Sequence, residues 1–194
     1  MRSFAVRLGY IFRASAVTVF CSLCTGLIFY QGRVLNSHNH ASIFIFEAAV
    51  GAIFFYSLRT LRLRDALAFL FVMYFIYLGP LTRAFHYGYA NTYTVFFLAG
   101  PLAVFVYDRM ILRRNRWENI FQPLIVAGLW GSTSLLSRLI VDIPRLSRWQ
   151  YSFLEYLPLI FPYVLMGTAL GFGVGLGFYA VERLPAARVP GFRT

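Results

Sequence analysis

His38, His40 and His86 are the only histidines in this chain, and with Glu47 they are its residues best suited to holding a metal. A His-x-His pair, a distant His and a carboxylate supply three or four ligands of the kind that bind zinc. Asn36 and Asn39 stand close enough in sequence to orient the imidazoles. Loop histidines among Ser and Asn also occur without metal, and the expectation is that none is bound. Glu47 has another use. It falls within a long apolar run, about 9 Å along a helix that rises 1.5 Å per residue. A carboxylate at membrane depth is costly and is a candidate for carrying a proton or cation. It suits an ion pair or hydrogen bond that fixes helix packing just as well, with Arg83, His86 or His40 as partner. That packing role is the expectation, and Gly51, one turn on, is expected to leave space beside the carboxyl.

Cys21 and Cys24 form a Cys-x-x-Cys pair, a redox motif where a thiolate can form. Both lie in an apolar run, and thiols buried away from water and cations behave as small hydrophobes. No second pair is present to relay electrons. All 18 basic residues are arginine. The lack of lysine excludes Schiff-base chemistry with retinal or pyridoxal phosphate, and it excludes a Walker A phosphate loop. Neither a Gly-x-Ser-x-Gly elbow nor a His-Glu-x-x-His helix occurs. No catalytic residue and no cofactor is expected.

The elements that must position these residues are six apolar runs: 14–31, 41–58, 66–82, 92–107, 120–137 and 157–181. The chain is 59% hydrophobic and 13% charged, against about 25% charged in a soluble domain. A hydrocarbon core about 30 Å thick takes roughly 20 apolar residues of helix. The reading is an all-α, polytopic membrane bundle of six transmembrane helices, forming a single domain over 1–194. With the N-terminus inside and each run crossing once, thirteen arginines fall inside. The five outside are Arg33, Arg83, Arg138, Arg145 and Arg148. Short loops rich in arginine stay on the cytoplasmic side, so both termini are expected there, or in the matrix. The net charge of +11 then reads as topology and as affinity for anionic headgroups, not for nucleic acid. The expected location is a bacterial inner membrane, with the mitochondrial inner membrane as alternative. The first twenty residues, arginine-rich and acid-free, share the composition of a transit peptide. An uncleaved first span with a basic flank is the expectation.

Glycines give the clearest pattern. Gly167, Gly171 and Gly175 are four apart, and Gly173 and Gly177 repeat that spacing. Residues four apart share a helical face, and without side chains two backbones approach closely. Ala127 with Gly131, and Gly128 with Ser132, echo the spacing in the fifth run. The face either docks a partner subunit or packs these helices within one chain, and the second is expected. Gly100-Pro101 falls mid-run and predicts a kink. Pro158 is expected in the first turn of the sixth helix. Residues 138–156, with Ile140, Leu146, Trp149, Tyr151 and Tyr156 among them, suit a segment lying in the headgroup layer.

Six spans with both ends inside, at this length, is similar to the substrate-binding subunits of energy-coupling-factor vitamin transporters. The likeness covers span count and no motif. It implies a membrane-embedded binding subunit of a transporter. The residues themselves point first to a non-catalytic integral membrane subunit or scaffold of a larger assembly, in contact with lipids and other membrane subunits. A small transporter or its binding subunit is the alternative, and an outer-face metal-dependent enzyme is third.

Overall fold

The computed structural model describes residues 2–30, 38–86, 99–112, 118–149 and 153–183. Every element among them is a helix: α1 (Arg2–Tyr30), α2 (His38–Thr60), α3 (Leu63–His86), α4, α5 (Glu118–Trp149) and α6 (Phe153–Arg183). The fourth, α4, is a helical stretch over 99–106 that closes in a π-helical turn, Tyr107–Leu112. Among the described residues, three helices are long and apolar enough to cross a membrane, along Phe4–Ile28, Phe121–Ile140 and Ile160–Arg183. They suggest a membrane protein.

The helices outrun the apolar runs. α1 begins at Arg2, so Arg7 and Arg13 ride on the helix and do not precede it. α5 continues to Trp149, so residues 138–149 continue the fifth helix. Arg138 and Asp142, four apart, face the same way and pair, which lets charged residues stay helical beyond the fifth apolar run. α6 begins at Phe153, so Pro158 and Pro162 both lie inside it and not at its first turn. Of the fourth run, residues 92–98 lie outside the described residues.

α6 is the central helix. It packs most extensively on α5, then on α1, and also touches α2. α2 turns into α3 through Leu61 and Arg62, where the Leu61 amide donates to the Ser57 carbonyl (2.8 Å) and the Asp65 and Ala66 amides to the Arg62 carbonyl (3.0 Å each). Arg59 in the last turn of α2 and Asp65 in the first turn of α3 complement the helix dipoles.

The N-terminal part of α1 and the C-terminal ends of α2 and α6 meet at one end of the bundle. Arg7 donates to the Thr60 carbonyl (3.2 Å), and Arg59 pairs with Glu182 (3.4 Å). Beneath them the Phe55 and Phe178 rings stack at 3.8 Å between centroids, with Tyr107 beside Phe178 at 6.3 Å. α3 is peripheral. It packs on α2 alone among the main pairings and leaves Leu67, Phe71, Val72, Phe75 and Ile76 exposed.

Candidate functional site

Glu47 sits on α2 and is 2% exposed. Its neighbours come from other helices. A Cβ placed on Gly100 of α4 would stand 2.9 Å from Glu47 Oε2 and 2.6 Å from Cζ2 of Trp130. The carboxyl, the α4 backbone and the α5 indole therefore converge on one point. Trp130 is fully buried, and the tip of its ring fills the room beside Gly51. The space expected next to Gly51 is taken by that ring. Only glycine at 51 and 100 lets α2 and α4 come this close to so large a side chain. Thr133, one turn along α5, donates to the Ala99 carbonyl (2.9 Å) and shares that proton with the Trp130 carbonyl (3.1 Å). This bond fixes α4 against α5 next to the convergence point.

Among the described residues, neither Glu47 Oε2 nor Trp130 Nε1 has a hydrogen-bond partner. The indole N–H can only donate, and an ionised carboxylate can only accept. A buried group left without a partner costs about 1–3 kcal/mol, so such sites are candidates for function. The partners expected for Glu47 are Arg83, His86 and His40. Their side chains lie outside the described residues, as does that of His38. No group of three His, Cys, Asp or Glu comes together among the described residues. Cys21 and Cys24 are free and half-buried on α1.

The glycine set divides between two neighbours of α6. A Cβ on Gly171 would stand 2.6 Å from the Trp130 Cβ and 2.7 Å from the Val126 carbonyl oxygen, with Ala127 Cα at 3.0 Å. On Gly175 it would meet the Pro123 Cα at 2.6 Å. Gly167 lies against Ser134, and Gly131 of α5 lies against Thr168. Gly173 and Gly177 face the other way, to α1, where a Cβ would stand 2.5 Å from the Cα of Ser22 and of Thr18 respectively. Both glycine faces are thus occupied within the chain.

The opposing face of α1 was readable and was missed. Ser15, Thr18, Ser22 and Thr25 follow one another at intervals of three, four and three, all buried. Thr18 and Thr25 return their hydroxyls to the carbonyls of Ala14 (3.0 Å) and Cys21 (2.9 Å). Thr18 also shares a hydrogen bond with the Tyr56 hydroxyl (3.0 Å). The hydroxyls add little bulk, so the α1 and α6 backbones approach closely.

A second polar cluster joins α5 to α6. Arg138 Nε and Asp142 Oδ2 lie 2.5 Å apart, and Tyr156 donates to the same oxygen at 2.5 Å. The Arg138 guanidinium lies 4.3 Å from the Tyr163 ring centroid, over its face. Burial, and then the bond to Asp142, push the Tyr156 phenol up to about 12, so it stays a neutral donor through the physiological range. Asp142, like Asp108 in the π-helical turn of α4, is a buried acid beyond the one that the apolar runs picked out. The Arg138-x-x-x-Asp142 spacing was the available signal. No family model, no curated protein and no solved structure matches this chain.

Proposed function

We propose that this chain is a non-catalytic integral membrane subunit or scaffold with six spans and both termini on the cytoplasmic or matrix side. The observation that carries the reading is α3. Its exposed Phe71, Val72, Phe75 and Ile76 form an apolar surface on a peripheral helix, while the small-residue faces of α1, α5 and α6 are consumed inside the bundle. Such a surface suits lipid and the helices of another subunit. The topology rests on arginine asymmetry, and the meeting of the α1 start with the ends of α2 and α6 is consistent with an even number of crossings. The arginine-rich side would face anionic headgroups, and a bacterial inner membrane is the expected setting.

The test is photo-crosslinking from position 75 in native membranes, followed by mass spectrometry. The subunit reading expects one protein adduct. Lipid adducts alone would overturn it. A second reading, a small transporter or its binding subunit, is favoured by Glu47 Oε2 and Trp130 Nε1, buried and without hydrogen-bond partners among the described residues, because intramembrane polar groups mark solute and ion routes.

A further inference from the structure

Two buried polar side chains, a carboxyl on α2 and an indole on α5, converge at Gly100 of α4. Glu47 Oε2 and the Trp130 ring both lie within 3 Å of the position a Cβ would take on Gly100. Both side chains are buried, and both polar atoms lack hydrogen bonds among the described residues. The space over Gly100 is smaller than a methyl group requires, so no organic solute sits there. A metal ion would need several oxygen or nitrogen ligands together, and Oε2 has no hydrogen-bond partner among the described residues. The ligand this geometry leaves is a proton.

We propose that Glu47 is a proton-binding site within the bundle, and that its ionised form is received by the Trp130 indole N–H across Gly100. With the proton bound, the carboxyl is neutral and tolerates apolar surroundings. When the proton leaves to water, the carboxylate becomes a pure acceptor opposite a pure donor. Rotation of the Glu47 side chain over the bare Gly100 backbone then brings the carboxylate to the indole, with no electron transfer and no other bond broken. Tyr74 of α3 is a titratable residue in electrostatic reach of Glu47. α4 presents Gly100, α5 presents Trp130, and α1 presents Gly26 to Phe44 one turn away. None of those three titrates. The inference stands whether the chain is a subunit or a transporter, because it concerns only this carboxyl and this indole.

The experiment uses the full chain with Trp117→Phe and Trp149→Phe, which leaves Trp130 as the only indole. Its emission is followed against pH in lipid, and infrared spectra are recorded in parallel. The expected result is one reversible single-proton step in the emission. A carboxylic-acid carbonyl band should disappear across the same step. Glu47→Gln should abolish both, and Glu47→Asp should keep a step at a shifted midpoint. An emission step that survives in Glu47→Gln, or none in the parent, overturns the proposal. Where Glu47→Gln does not fold, the parent decides, since no carbonyl band titrating with the Trp130 emission also overturns it.

Discussion

The stem of Trp130 rests on the backbone of Gly171: a Cβ added there would stand 2.6 Å from the Trp130 Cβ. The other end of the same side chain abuts Gly51 and Gly100. One indole therefore sets the spacing of its own α5 against α2, α4 and α6, and all three of these contacts are made to glycines.

Gly171→Ala should lower stability by about 1–3 kcal/mol, as overpacking does in a tight core. The atoms in the way are backbone or the base of a side chain and cannot swing aside. Gly128→Ala is the control. Nothing lies within 4 Å of a Cβ there, so helix propensity favours alanine by up to about 1 kcal/mol. Unfolding by denaturing detergent measures both. Equal effects would mean that α5 and α6 do not pack in this register.

Gly100→Ala should also destabilise, by about 1–3 kcal/mol, but for a cause that Trp130 supplies. In the background of Trp130→Leu the same substitution should cost much less, because the ring it would strike is gone. A double-mutant cycle reads this as a coupling of about 0.5–3 kcal/mol. Additive losses would separate Gly100 from Trp130.

At the other cluster, Asp142→Asn removes the charge that holds Arg138, a side chain only 12% exposed. The expected loss is about 3 kcal/mol, since the guanidinium is left without its counter-charge. Tyr156→Phe deletes a hydrogen bond to a charged acceptor and should cost less, about 1.5–3 kcal/mol. Thermal unfolding of the two variants ranks them.

Tyr156 also gives a pH dependence. Its ordinary value is 10.0 and the fold raises it to about 12. The unfolded chain therefore loses this proton first, and the native state binds more protons between those values. Its contribution to stability is complete below the unfolded value and is lost as pH rises from 10.0 to about 12. Parent and Tyr156→Phe should differ by a constant amount through neutral pH and converge in that alkaline window. A constant difference into alkali would contradict the assignment.

The proposed topology is tested with single cysteines in a background lacking Cys21 and Cys24. Asn39→Cys should react with an impermeant thiol reagent from the outer face, and Asn115→Cys should not. The opposite pattern would invert every span.

Sequence periodicity carried the helices because each apolar run needed one, and it carried the glycine faces because spacing by four survives any choice of neighbour. It did not carry which neighbour each face would meet, since Gly171 and Gly173 differ only in direction around the helix. The α5 extension was hidden for an electrostatic reason. Arg138 and Asp142 interrupt the apolar pattern and look like the end of the helix until their charges are paired along one face. Glu47 was singled out by its depth, but Trp130 was not, because an aromatic in an apolar run carries no mark of its neighbours. Trp130 became part of the site only through tertiary contact with Gly51 and Gly100.

The placement of glycines on two sides of α6 bears on the order of assembly. α1 is made early, yet the close match for its Ser15–Thr25 face lies on α6, the last described helix to be synthesised. Throughout elongation α1 and α5 each carry a surface cut for a helix that has not been made. The nascent bundle is thus incomplete at its centre, not at its rim, and it closes when its axis arrives. A chain stopped before Phe153 would keep five of the six described helices and lack what joins them. Such a product is a natural substrate for membrane quality-control proteases, whereas loss of peripheral α3 contacts would leave the centre intact.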